Sequence, residues 1–179
     1  MQRTEFMTLL AAAGAASLPG TAAATGAKAG KMCLPVAEKY RKGMLPFDLP
    51  LLGSPDTMMK SANLTGKAIW LNFFASWCPD CTVEMPSLLA IAAKYRDAGL
   101  TVIGIDVDET EKRGTSFQNQ FNISYPILVD AGATVFKTVG TGHLPTHMFY
   151  NGDRYLTCVG IEGFTEKDMD NEVSVALGL

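Results

Sequence analysis

The stretch Ala68 to Phe74, AIWLNFF, is a nearly continuous apolar run opened by Gly66-Lys67. A run of that length beside turn residues reads as a strand buried on both faces. It leads straight into Ala75-Ser76-Trp77-Cys78-Pro79-Asp80-Cys81, and this junction constrains the fold more than any other part of the chain. Proline has a fixed φ and no N–H, so it suits the first turn of a helix. A buried strand therefore ends, and a helix begins at Pro79. From Thr82 to Gly99 the apolar residues Met85, Leu88, Leu89, Ala92 and Tyr95 keep helical spacing, with Gly99 as the stop.

The same reading extends along the chain. Leu100 to Val107 is strand-like, and Glu109 to Phe121 suits an amphipathic helix with Phe117 and Phe121 on one face. Ile127 to Val129 is a short strand and Ala133 to Val139 a short helix. Thr146 to Tyr150 and Tyr155 to Val159 flank Asn151-Gly152-Asp153, a hairpin signal, and Glu166 to Leu177 closes as a helix. Before Ala68, helix-like Val36 to Arg41 is followed by the Pro-punctuated Leu45 to Pro50. Parallel strands need crossovers and the hairpin must be antiparallel, so the fold class is α/β, a mixed central sheet flanked by helices.

With 179 residues, 47% of them hydrophobic and 18% charged, the chain has material for one buried core and is too apolar for disorder. A net charge of -3 argues against a broad nucleic-acid footprint. No apolar run is long enough for a stable membrane span. The first residues follow another pattern. Arg3 precedes an apolar stretch from Phe6 to Leu18, then Pro19-Gly20 and the small residues Ala22-Ala23-Ala24. Charged start, short apolar run and small-residue cut site describe a secretory signal. Residues 1–24 are thus expected to be a signal peptide, 25–44 an N-terminal extension and 45–179 the domain. Export would place the protein outside the cytoplasm, where disulfides persist.

Cys78 at the helix N-terminus would meet unpaired amides and the positive end of the dipole, which favour thiolate. Cys81 lies one turn further in, close enough to bond Cys78 and better shielded. The expected division is attack by Cys78 on a partner disulfide and resolution by Cys81. A zinc site would want two further ligands, yet Cys33 and Cys158 are single and His143 and His147 flank a proline, so no metal and no other cofactor is expected. Thr82 after Cys81 also departs from the CxxCH haem attachment pattern.

Leu71 to Cys81, with Glu84-Met85-Pro86 behind it, resembles the TlpA/ResA-like branch of the thioredoxin-fold proteins. The likeness extends through Val102-Ile103-Gly104-Ile105, Tyr125 to Asp130 and Leu144-Pro145-Thr146. It implies a thioredoxin-like fold and a thiol–disulfide oxidoreductase, extracytoplasmic and periplasmic. Implied partners are cysteine-containing envelope proteins such as apocytochromes c, with a membrane thiol-transfer protein as electron donor; a monomer is expected. Pro145 stands where the family has its cis-proline, so that Leu144, Pro145 and Thr146, together with Trp77, are expected to bind the partner chain. Trp77 could equally pack in the core. Glu84 matches the glutamate that the family places near its cysteines, and a carboxylate there can accept a thiol proton during resolution. Asn72 replaces the proton-carrying aspartate of cytoplasmic thioredoxins.

Asp80 adds a second negative charge beside Cys78, so the pair is expected to be a reductant. His143 and His147 are expected to face solvent; of the two, strand alternation makes His147 the one able to reach the cysteines. Cys33 and Cys158 could form a structural disulfide, but nothing in their spacing pairs them, and two free or buried thiols are expected. One alternative function is a peroxiredoxin-like peroxidase, although the loop Pro-x-x-x-Thr/Ser-x-x-Cys is absent before Cys78. The other is a metal-binding or metallochaperone module built on the CxxC.

Overall fold

The computed structural model describes residues 33, 34, 36–38, 41–107 and 110–179. The expected leader at 1–24 lies outside the described residues, as do Asp108 and Glu109. Among the described residues, seven strands and four α-helices follow in chain order. They are β1 (Asp48–Leu51), β2 (Ser54–Lys60), β3 (Ala68–Phe74), α1 (Pro79–Tyr95), β4 (Leu100–Val107), α2 (Glu111–Phe121), β5 (Ile127–Asp130), α3 (Thr134–Val139), β6 (Thr146–Asn151), β7 (Leu156–Ile161) and α4 (Glu166–Leu177). They build one mixed sheet in the order β2-β1-β5-β4-β3-β6-β7. β3, β4 and β5 run parallel, joined by helical crossovers, while β6 pairs antiparallel with both β3 and β7. The thioredoxin-like architecture expected from the sequence is present.

Every residue of β3 is buried, as the unbroken apolar run requires. Its alternation divides the core between the two faces. Ala68, Trp70 and Phe74 pack under α1, α2 and α4 with Met85, Leu88, Phe117, Met169 and Val173. Ile69, Leu71 and Phe73 face α3 and the N-terminal segment, with Phe47, Phe136 and Tyr150. α1 is continuous across Pro86. α4 begins with a capping box: the Thr165 hydroxyl accepts from the Asp168 amide, and the Asp168 carboxylate accepts from the Thr165 amide.

Two expectations need correction, and the β1–β2 hairpin is a feature without a signal in the sequence. β2 is an edge strand, SPDTMMK, almost wholly exposed and carrying a proline, so it has no buried face to write an alternation into the sequence. Val36 to Arg41 is not an α-helix among its described residues. Its place is along the free edge of β7: the Leu34 amide donates to the Val159 carbonyl at 2.8 Å, and the Leu156 amide donates to the Arg41 carbonyl at 2.8 Å. The Arg41 guanidinium adds bonds to the carbonyls of Leu156 and Thr157. Finally, Cys33 and Cys158 are not thiols but a disulfide, with a Cα–Cα distance of 5.2 Å. It fastens this strap to the sheet beneath α4. Because 125 residues separate the two cysteines, their meeting depends on the whole fold.

Candidate active site

Cys78 caps the N-terminus of α1. Its Sγ accepts the Cys81 amide at 3.1 Å, satisfying one of the four orphan donors of the first turn. Pro79 occupies the next position, as its missing N–H allows. The two sulfurs are joined as a disulfide. Cys81 is fully buried, whereas Cys78 borders an open groove of about 440 Å³ whose wall includes Trp77, Asp80, Phe136, His143 and Leu144. An incoming sulfur therefore meets Cys78 and not Cys81. Trp77 is 53% exposed on the rim, which excludes core packing. Asp80 and His143 are exposed on the same groove.

The Leu144–Pro145 peptide is cis. Leu144 is half-buried at the groove and Pro145 is buried. Thr146 turns inward: its hydroxyl donates to the His143 carbonyl at 2.6 Å and lies 2.9 Å from the Thr141 hydroxyl. Its side chain braces this loop.

Behind the disulfide lies a buried polar cluster. Asn72 on β3 sits directly opposite His147 on β6 in the antiparallel register, both facing α1. Glu84, three residues beyond Cys81 on α1, turns down onto them and is 8% exposed, so it is not a solvated helix carboxylate. Its Oε2 is 3.2 Å from His147 Nε2, and its Oε1 accepts from Asn72 Nδ2 at 3.4 Å. Trp70 Nε1–H donates to His147 Nδ1 at 3.2 Å. The Tyr125 hydroxyl is pushed far above the usual phenol range, by its own burial first and the Glu84 charge second.

His147 is fully buried, correcting the expectation of solvent exposure. A polar residue in a strand ordinarily marks the wet face, but all residues from Thr146 to Tyr150 are buried here. Phe164 closes the site by stacking on the His147 ring at 5.4 Å. Gly160, paired with His147 across the β6–β7 ladder, makes that possible, since a Cβ there would lie 2.6 Å from the Phe164 ring. Phe164 and Gly160 carried no local signal in the sequence. His147 did, through its alternation with Thr146 and Met148. Among the described residues the one trio of closely placed metal-type ligands is Cys33, Cys158 and Glu172, and its two sulfurs are spent on each other.

Fold and site together define a thioredoxin-like protein with a CxxC disulfide at a helix N-terminus and a cis-proline loop beside it. The chain belongs to the AhpC/TSA family, whose pattern matches residues 44–157. Over 91 residues it is 36% identical to a thiol-disulfide oxidoreductase ResA of Bacillus thuringiensis, a match covering 51% of this chain and 53% of that protein. The chain thus spans about half the length of the curated relatives it matches. Among solved structures it resembles a secreted Mycobacterium tuberculosis disulfide oxidoreductase homologous to E. coli DsbE, with TM-score 0.65 and 26% identity over 73% of this chain and 96% of that one. A thioredoxin-family thiol:disulfide interchange protein of Chlorobium tepidum gives TM-score 0.68 and 26% identity, covering 77% and 97%.

Proposed function

We propose that the protein is an extracytoplasmic thiol–disulfide oxidoreductase that reduces disulfides in envelope proteins, apocytochromes c among them, through Cys78 and Cys81. The observation that carries this reading is the asymmetry of the pair: Cys78 borders the groove and caps α1, while Cys81 is buried on the Glu84 side. In the reduced enzyme the Cys78 thiolate attacks one sulfur of a partner disulfide. A Cys78–partner bond forms and the partner's other sulfur leaves as thiolate. Cys81 then gives its proton to Glu84 and attacks Cys78 sulfur. The Cys78–Cys81 bond forms, and the partner leaves with both sulfurs reduced. A dithiol donor returns the enzyme to its reduced form, for which a membrane thiol-transfer protein is suited.

The groove suits an extended chain. Leu144, ahead of the cis-proline, offers its backbone for strand-like pairing, and Trp77 and Phe136 supply apolar walls. Names of relatives support the activity: ResA and the Mycobacterium tuberculosis protein are both called oxidoreductases. Export is supported by the leader pattern at 1–24 and by the strap disulfide, which suits an oxidising compartment. On this reading residues 45–179 are the catalytic domain, 25–44 an N-terminal extension, and the enzyme acts as a monomer.

Trapping tests the proposal. Cys81→Ser stalls the reaction at the mixed disulfide, so envelope proteins bearing cysteines should be recovered bonded to Cys78 and released by reductant. Cys78→Ser should abolish insulin reduction. Recovery of no disulfide-linked partner, or insulin reduction that survives Cys78→Ser, would refute it. Peroxide consumption by the reduced enzyme at a rate above its insulin reduction would instead favour the peroxidase alternative.

A further inference from the structure

His147 has a role that follows from its hydrogen bonds alone. An indole N–H can only donate, so the 3.2 Å contact from Trp70 Nε1 requires a lone pair on His147 Nδ1. Asn72 Nδ2 lies 3.3 Å from the same nitrogen and 3.4 Å from Glu84 Oε1. Turning that amide over would set its carbonyl against two acceptors, so its NH2 group faces them. With Nδ1 accepting, a neutral imidazole carries its one proton on Nε2 and donates it to Glu84 Oε2 at 3.2 Å. Becoming an imidazolium would drive an Nδ1–H against the Trp70 N–H. The ring is also clamped between Trp70 and Phe164, at centroid distances of 5.6 and 5.4 Å.

We propose that His147 is a positioning residue, held by Trp70 as the neutral Nε2–H tautomer, whose donation to Glu84 fixes the carboxylate that takes the Cys81 proton in the resolving step. This rests on the oxidoreductase reading and deepens it. Hydrogen bonds to a carboxylate favour its charged form, whereas burial opposes it. Glu84 is buried, and Asn72 and His147 each hold one of its oxygens. The other titratable groups on the elements packed around it are Cys78 and Cys81 on α1, Tyr125 from the loop before β5 and, on α4, the buried Glu172 beside the Cys33–Cys158 disulfide. The Tyr125 hydroxyl is held protonated and donates to Met85 Sδ. From α4 the same face receives the uncharged Met169 and Val173. In the resolving step the Cys81 proton passes to Glu84, the Cys81–Cys78 bond forms and the partner sulfur departs as thiolate. His147 neither gains nor loses a proton.

The test follows the reduced full-length protein reacting with dithiobis-nitrobenzoate, an aromatic disulfide whose thiolate product absorbs visible light. Attack by Cys78 releases a first thiolate and resolution by Cys81 a second, so the second phase isolates the resolving step. His147→Phe removes the donor and should slow the second phase about tenfold relative to the first. His147→Gln keeps an N–H for Glu84 and a carbonyl for Trp70, and should bring the second phase back toward the wild-type rate. A merely structural role would lower the melting temperature and slow both phases alike, and a second phase not slowed relative to the first in His147→Phe overturns the inference while leaving the activity standing. Absence of any second release from the wild type removes the oxidoreductase reading and the inference with it. Nitrogen NMR of the wild-type ring decides the matter independently of folding defects. A neutral Nε2–H tautomer at neutral pH supports the inference, and an Nδ1–H or charged ring there overturns it.

Discussion

The strap disulfide should carry a large share of the stability and none of the chemistry. Replacing Cys33 and Cys158 together by serine removes a cross-link between cysteines 125 residues apart. On the chain-entropy account, releasing a loop of that length from the unfolded state costs the native state about 5 kcal/mol. Part of this is returned, because the strap can then peel from β7 while the sheet stays folded. What holds it otherwise is modest: the two backbone bonds at Leu34 and Leu156, the Arg41 bonds and Tyr155 Oη donating to Glu38 at 2.6 Å. The expected loss is therefore about 2–4 kcal/mol in urea, or about 5–15 °C in melting temperature. Hydrogen exchange should locate it, with the Leu34 and Leu156 amides losing protection before the β3 amides do. Insulin reduction should be unchanged, since Cys78 and Cys81 lie elsewhere. An unfolding midpoint equal to wild type, with Leu34 and Leu156 still protected, would contradict this account of the strap.

Two further perturbations follow from the core. Gly114 lies inside α2, where Gly→Ala ordinarily gains about 1 kcal/mol, yet a Cβ there would overlap the buried Asp106 carboxylate. Gly114→Ala should thus destabilise by about 1–3 kcal/mol in urea, and a gain would refute the close approach of α2 to β4. Burial pushes the Tyr150 phenol up to about 12. Below about pH 10 both states are protonated and stability does not depend on this group; between about pH 10 and 12 the unfolded tyrosine ionises while the folded one does not, so about 2–3 kcal/mol is lost. Tyr150→Phe should flatten the alkaline unfolding curve in that window, leaving the contribution of Tyr125, and an unchanged slope would show that Tyr150 is not buried as described.

What the sequence made legible was whatever is local. The β3 run, Pro79 at the start of α1, the Asn151-Gly152-Asp153 turn and the amphipathic α2 each encode their conformation within a few residues. So does the likeness around Cys78, Glu84 and Pro145. What escaped is set by the fold as a whole. β2 is an exposed edge strand without alternation. Cys33 and Cys158 meet only because the strap runs along β7. His147 reads as a surface residue until β6 is seen to lie between β3 and β7 with α4 above it, where a polar side chain must find partners. Its partners, Trp70, Asn72 and Glu84, come from two other elements.

The arrangement around the cysteines also bears on the direction of electron flow. A protonatable His147 beside the sulfurs would stabilise thiolate and make the pair oxidising. As a neutral donor to Glu84 it leaves the carboxylates of Glu84 and Asp80 as the nearby charges, and these disfavour thiolate. Redox titration of the Cys78–Cys81 pair tests the central claim most directly. The account predicts a reversible two-electron transition near thioredoxin's value of roughly -270 mV, with Cys33–Cys158 still bonded at that point. A potential near roughly -120 mV, that of a strong oxidant, would contradict it.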